Sequence, residues 1–388
     1  MPLSSAKVVI GCAFLAAYPQ GGGLWAGILQ YLLALESLGH DVFWIELLRS
    51  SGDPDTDRDR IRRFFEEFTA RGYGDRCALL LVDARTPPPP LSQSQAFGHS
   101  LDAIRKTAQS SDILWNFAGG LNEPLLELFT RRAYIDGDPG MVQIAAFTWD
   151  MAIDMHEVLF TVGLNMHRNG CEVPTLGRSW HTFMPSVDLA SWPVAPPPAA
   201  GAGFTSVTQW TWEEYAYEGR VLSVSKRAAY LRYVELPRIA RRRFELAANI
   251  GDNDVADDRS LLSANGWTVA DPHAVAGTIE DYAKYIEASY AELSCPKPIY
   301  RELKTGWFSD RSACYLAAGR PVLAEDTGLS HIVPADYGFV TFTDFESALA
   351  GVQAIDANYA THRAAARAFA EQFLDARRNV TRMLELCF

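Results

Sequence analysis

Residues 304–328 (KTGWFSDRSACYLAAGRPVLAEDTG) hold the densest set of groups that could do chemistry. Ser309 is of a type favoured at a helix N-cap, and Asp310 follows where a carboxylate suits the positive end of the helix. Ala313, Leu316 and Ala317 share one helical face, and Gly319 is placed to end the helix. Residues 321–324 read as a short buried strand of a parallel sheet, which empties into the polar turn at 325–328. Ligands of open α/β sheets collect at the carboxyl ends of strands, and anions collect at helix N-termini. A group held between the two would meet backbone N–H donors, the Ser309 hydroxyl and the Arg311 guanidinium, which together suit a diphosphate. Lys297 and Lys304 bring two further cations to this region of an acidic chain.

A second set lies in the first half. Asp136 and Asp138 form an Asp-x-Asp after an apolar strand end, two hard carboxylates that could take Mg²⁺ or Mn²⁺. The same Asp-Gly-Asp-Pro is a strong turn signal, and a turn lining a cleft is the preferred reading. Asp136 is the first candidate for a base that takes a proton from an acceptor, with Asp138 and His156 beside it as catalytic candidates. The histidines at 156, 167 and 181 and the scattered cysteines match no zinc spacing, so no metal site is expected. Asn116 and Gly119 stand at another strand's end, and Gly22 and Gly23 in a glycine run after the first strand.

These groups need a scaffold. A chain of 388 residues suggests two domains of similar size. Strands are expected over residues 7–15, 41–47, 77–82, 112–117 and 156–163, with helices over 24–38, 60–71 and 101–109. Strand, glycine loop, helix and strand make the first βαβ unit of a Rossmann-like domain. No G-x-G-x-x-G is present, which weakens a nicotinamide-cofactor reading. Four prolines at 87–90 call for an extended loop, and the Pro- and Gly-rich residues 192–203 read as a linker. The expected division is a first domain over 1–191, a second over 204–370, and a last helical segment over 371–388. In the second domain, 204–209 reads as a strand, followed by Trp210, which could stack on a base or sugar. Residues 226–249 read as mostly helical with a break at Pro237, 266–271 as a strand, 277–291 as a helix and 338–342 as the last strand. Helices over 345–355 and 363–386 close the chain.

Formal net charge is −12, which argues against nucleic acid and anionic membranes as partners. The sequence has no run of eighteen apolar residues to span a membrane. Six cysteines at 12, 77, 171, 295, 314 and 387, with no C-x-x-C pair, read as free thiols of a reducing compartment. With no signal peptide visible, a cytoplasmic location is expected.

The stretch GRPVLAEDTG, the phrase GWFSDR and the opening KVVIGCAF…GGG…LGHDVFWIE resemble GT-B glycosyltransferases. The resemblance implies two Rossmann-like α/β domains facing a cleft, with donor binding in the second and acceptor binding in the first. It further implies transfer of a sugar from a nucleotide-diphosphate sugar, such as a UDP-sugar, to a small-molecule or natural-product-like acceptor, with no cofactor and no metal. On this reading Trp210, Lys304, Ser309, Asp310, Arg311, Asp326 and Thr327 form the donor side, while Gly22, Gly23, Asn116 and Gly119 line the cleft. The final helix is expected to cross back onto the first domain. A nucleotide-sugar epimerase of the same architecture and a non-transferase Rossmann protein are the alternatives.

Overall fold

A computed structural model of the chain describes residues 5–83, 90–122, 124–251 and 257–388. The proline loop expected at 87–90 lies outside this description except for Pro90. The chain forms two α/β units. The first contains β1 (Lys7–Gly11), α1 (Gly22–Ser37), β2 (Asp41–Arg49), α2 (Pro54–Ala70), β3 (Cys77–Val82), β4 (Gln95–Phe97) and α3 (Leu101–Ser110). It continues with β5 (Ile113–Phe117), β6 (Arg132–Asp136), α4 (Met141–Ala145), β7 (Val158–Thr161) and β8 (His181–Thr182). Its sheet runs in the order β4-β3-β2-β1-β5-β6-β7-β8, parallel except for the edge strand β4. Near-continuous apolar runs build these strands because both faces of the sheet are covered.

The second unit opens with β9 (Phe204–Gln209), the hairpin β10 (Glu214–Tyr217) and β11 (Arg220–Ser223), α5 (Lys226–Leu231) and α6 (Leu236–Ala240). Next come β12 (Phe244–Asn249), α7 (Asp258–Ala264), β13 (Trp267–Ala270), α8 (Pro272–Ala276), α9 (Ile279–Ala288) and β14 (Ala291–Ser294). Finally α10 (Pro298–Glu302), α11 (Asp310–Ala317), β15 (Val322–Glu325), β16 (Phe339–Phe342), α12 (Phe345–Ala357), α13 (Tyr359–Phe369) and α14 (Ala376–Cys387) complete the chain. The all-parallel sheet order β13-β12-β9-β14-β15-β16 is the 3-2-1-4-5-6 order of a doubly wound nucleotide fold. Two Rossmann-like units are therefore present.

Several elements depart from expectation. Residues 226–249 form two short helices and a strand, because Pro237 sits in the first turn of a new helix, α6. The helix expected over 277–291 stops at Ala288, and strand β14 follows at once. Helix α2 begins at Pro54, well before residue 60, because Asp53 accepts the amides of Asp55 and Thr56 and Pro54 pre-sets the first turn. The single helix expected over 363–386 is two helices, α13 and α14, separated by a wide turn at 370–374. Residues 192–203 contain no helix or strand but lie strapped to the second unit: Ala195 N donates to Ala318 O at 3.0 Å, and Arg367 donates to Trp192 O at 2.7 Å.

The two units meet extensively. Val380, Met383, Leu384 and Cys387 of α14 are buried in the same apolar cluster as Leu32 and Leu35 of α1. A second cluster joins Tyr134, Ile144 and Trp180 to Tyr215, Leu222 and Tyr300. Beside it the backbones of 163–165 and 305–307 pair across the junction, with Leu164 N donating to Gly306 O and Asn165 N to Thr305 O.

Candidate active site in the cleft

A cavity of about 890 Å³ opens between the units. One wall is the loop after β1 with the start of α1, including Tyr18, Gly22 and Gly23; Asp53, Asp59 and Arg60 of the α2 region extend it. The opposite wall is made by the carboxyl ends of β9 and β12 (Thr208, Gln209, Asn249), by Pro272 and His273 of α8, and by Asp310 and Arg311 of α11. This wall stands at the point where the strand order of the second sheet reverses, between β9 and β14, where ligands of such sheets bind.

The glycines expected to form a loop are the first residues of α1. A Cβ on Gly22 would collide with the carbonyl oxygens of Ala276 and Thr278, and one on Gly27 would stand 2.8 Å from Asp310 Oδ2. Glycine is required here because α1 rests directly on the second unit.

Lys226 enters the cavity from the first turn of α5. Its ammonium lies 5.6 Å from the centre of the Trp307 ring, and no carboxylate pairs with it among the described residues. Burial, then the nearby charges of Arg311 and Lys297, push its pKa down to about 7. The sequence does not single out this residue, because it falls at the start of the stretch 226–249 that reads as mostly helical. The available signal was Ser225-Lys226 opening a helix directly after the β10–β11 hairpin.

Arg311 also reaches the cavity, but its fork is committed. Its Nε donates to Glu292 Oε1 at 2.5 Å, one terminal nitrogen to Val207 O at 2.8 Å and the other to Ser294 Oγ at 3.1 Å. Burial opposes its charge, yet Glu292 outweighs burial and holds the guanidinium firmly protonated. Arg311 thus braces β14 to the end of β9 and leaves a positive field at the cavity floor. Asp310 Oδ1 accepts from Arg311 N at 2.8 Å, whereas Ser309, 4% exposed, makes no side-chain cap.

The other expected donor residues sit elsewhere. Trp210 is fully buried and donates to Asp258 at 2.8 Å, so it presents no face for stacking. Lys304 is exposed with left-handed backbone, and its carbonyl accepts from Asn165 at 2.8 Å. Asp326 accepts the amides of Gly328, Leu329 and Ser330, and Thr327 Oγ1 donates to Trp307 O at 2.8 Å. Both therefore shape the turn after β15. Of the clustered cations, Lys297 is spent on Asp138 at 2.5 Å.

The catalytic candidates of the first half are not in the cavity lining. Asp136 is buried and accepts from Gln143 Nε2 (2.9 Å), Thr161 Oγ1 (2.8 Å) and Asp138 N (2.8 Å). Burial pushes its pKa up to about 6 against those three bonds. Asp138 accepts from Lys297 and Tyr300 across the junction; burial raises its pKa, but these partners outweigh it and the carboxyl stays below its usual range. His156 is buried between Ala152 O and the Asn116 amide, and burial pushes its pKa down to about 4. Asn116 also pairs with both backbone groups of Leu121 at 2.9 Å. Gly119 lies against Tyr134 and Met151. Among the described residues no group of His, Cys, Asp and Glu is arranged to hold a metal, and no helix is long and apolar enough to cross a membrane.

No protein-family model and no curated protein matches the chain. Solved structures do. An α-glucosyltransferase in complex with UDP and a 13-mer DNA with a central A:G mismatch matches at TM-score 0.59 and 11% identity, covering 99% of this chain and 100% of its own. HepE of Anabaena, in complex with UDP and glucose, matches at TM-score 0.57 and 12% identity over 98% of both chains. AviGT4, a glycosyltransferase involved in avilamycin A biosynthesis, matches at 0.52 and 15%, covering 98% of this chain and 96% of its own. The chain therefore has the GT-B glycosyltransferase fold over nearly its whole length. One expectation is overturned. Net charge does not exclude nucleic acid as a partner, because structures of this fold that match the whole chain are complexed with DNA. Net charge averages over the whole surface, whereas a nucleic acid meets only a local one.

Proposed function

We propose that the chain is a glycosyltransferase that takes a nucleoside-diphosphate sugar of the UDP-sugar class and transfers the sugar to a hydroxyl on a small or medium acceptor group. The observation that carries this reading is Lys226: a half-buried ammonium, with no carboxylate partner among the described residues, in a cavity at the carboxyl ends of β9 and β12. A cation so placed is positioned to meet an anionic ligand. The base and ribose would lie toward Asn249 and His273, the diphosphate against Lys226 and the field of Arg311, and the sugar toward the wall formed by Tyr18 and α1.

As the glycosidic bond breaks, negative charge gathers on the departing diphosphate. Lys226 and the braced Arg311 oppose that charge in a partly dry site, where fixed charges act most strongly. These groups can supply the charge without a divalent ion, so metal-independent transfer is part of the proposal. The β1–α1 wall and the α2 rim, which includes Arg60, are assigned to the acceptor.

The test is release of UDP from UDP-glucose and related UDP-sugars by the purified protein with excess EDTA present. Turnover that persists in EDTA supports the reading. UDP release that vanishes with EDTA and returns with Mg²⁺ or Mn²⁺ removes the metal-independent part. Failure of UDP and all UDP-sugars to bind removes the donor assignment itself.

A further inference from the structure

The loop joining β1 to α1 forms the first-unit wall of the cavity, through Ala17, Tyr18, Pro19, Gln20 and Gly21. It has an unusual backbone for so exposed a segment. Phe14 stands at φ 60, in the left-handed region that a bulky side chain rarely occupies, with its ring 40% exposed. Tyr18 is 51% exposed at the cavity edge. Something beneath the loop must hold it in this form.

That something is a carboxylate. Glu46, in the middle of β2, is fully buried. Its Oε1 accepts from Ala16 N at 3.2 Å and its Oε2 from Trp44 Nε1 at 3.0 Å. The Cys12 thiol lies close by but donates to Leu47 O at 3.3 Å. A donor thus faces each carboxylate oxygen, an arrangement that an ionised carboxylate satisfies and a neutral amide cannot, because its own N–H₂ would face one of them. The carboxylate contributes nothing to the sheet's ladder. Its polar partners are the loop and the indole of Trp44 on its own strand.

We infer that Glu46 is a positioning residue: its buried carboxylate moulds the β1–α1 loop and so sets the cavity wall that carries Tyr18. This inference rests on the donor and acceptor sides assigned above only in giving the wall a role; the loop's dependence on Glu46 stands without them. Burial pushes the Glu46 pKa up to about 7, opposed by the loop's hydrogen bonds. The titratable group facing it is Cys12, whose thiol burial and the Glu46 charge keep protonated. The closed loop therefore holds a proton that an opened, hydrated Glu46 carboxylate releases, so the loop should loosen as pH rises from the ordinary carboxyl range towards about 7 and change no further above it.

Hydrogen–deuterium exchange of the peptide spanning residues 12–21, corrected for intrinsic rates and followed from pH 5 to pH 8.5, tests this without any substrate. In the wild type, protection of this peptide should fall with rising pH by up to roughly tenfold per unit below about 7 and level off above it. Glu46→Gln should abolish the fall and leave peptides of β12 and β14 unchanged. Should Glu46→Gln fail to fold, Trp44→Phe keeps the ring and removes one donor, and it should move the levelling-off to higher pH. Protection that is flat with pH in the wild type, or equal in wild type and Glu46→Gln, overturns the inference. UDP titration of the same proteins separates the two readings. Loss of the pH dependence with unchanged UDP affinity supports a loop that acts on the acceptor wall alone. Absence of UDP binding in the wild type would refute the donor site and leave the exchange result to decide the loop.

Discussion

The two Rossmann-like units place polar residues at the ends of equivalent strands, yet only one of them leaves such a group ready for a ligand. In the first unit, Asn116, Asp136 and Thr161 end β5, β6 and β7, and all are buried with their hydrogen bonds satisfied inside the protein. In the second, Thr208 and Asn249 stand at the ends of β9 and β12 beside an open cavity into which Lys226 projects, unpaired with any carboxylate among the described residues. The same fold position therefore serves structure in one half and recognition in the other. What separates them is whether the charge is already spent, because a buried group with a complete set of partners offers no bond to a newcomer.

The largest effect should come from removing the unspent charge. Lys226→Ala should lower sugar transfer by about 10²–10³-fold, the scale of losing one preorganised electrostatic group. Single-turnover transfer at saturating donor would measure it. Loss smaller than about threefold would mean that Arg311 or another group carries the leaving-group charge.

Next in size is the pH response. Lys226 has a pKa lowered to about 7, so in the free protein it is mostly neutral above that value. A diphosphate binds the charged form better, and binding above pH 7 must take up a proton. UDP affinity should fall with rising pH by up to about tenfold per unit, and Lys226→Arg, which stays charged, should flatten the profile. Calorimetry in buffers of different ionisation enthalpy would count the proton.

Substitutions in the first half should appear in stability and spare donor binding. Gly22→Ala drives a methyl group into the Ala276 and Thr278 carbonyls and should cost about 1–3 kcal/mol, read as a lower melting temperature. Asp136→Asn turns an amide donor toward Gln143, Thr161 or Asp138 N and should likewise cost about 1–3 kcal/mol. Its UDP affinity should equal the wild type's. A transfer defect in Asp136→Asn without loss of stability would restore this carboxylate to the chemistry and blur the contrast between the halves.

Much of the fold is legible in the sequence, because buried parallel strands appear as short apolar runs between glycines and polar turns. Residues 77–82 show this directly. The hairpin β10–β11 and strand β14 were missed: the first carries mixed polar residues, and the second follows a helix with only two residues between. The site was harder to read. Lys297, Arg311 and Asp138 have the residue types of a diphosphate or metal site, but their partners, Asp138, Glu292 and Lys297, are distant in sequence. Pairing is a property of tertiary structure, so Lys226, which no carboxylate pairs among the described residues, could be recognised only after Lys297 and Arg311 had been matched.

The most direct test of the account is a calorimetric titration of UDP into the wild type, Lys226→Met and Asp136→Asn at pH 6.5. The account predicts one site per chain, affinity weakened at least about tenfold by Lys226→Met, consistent with a charge-assisted contact, and no change with Asp136→Asn. Equal affinity in wild type and Lys226→Met, or weakening by Asp136→Asn alone, would place the nucleotide outside this cavity and contradict the account.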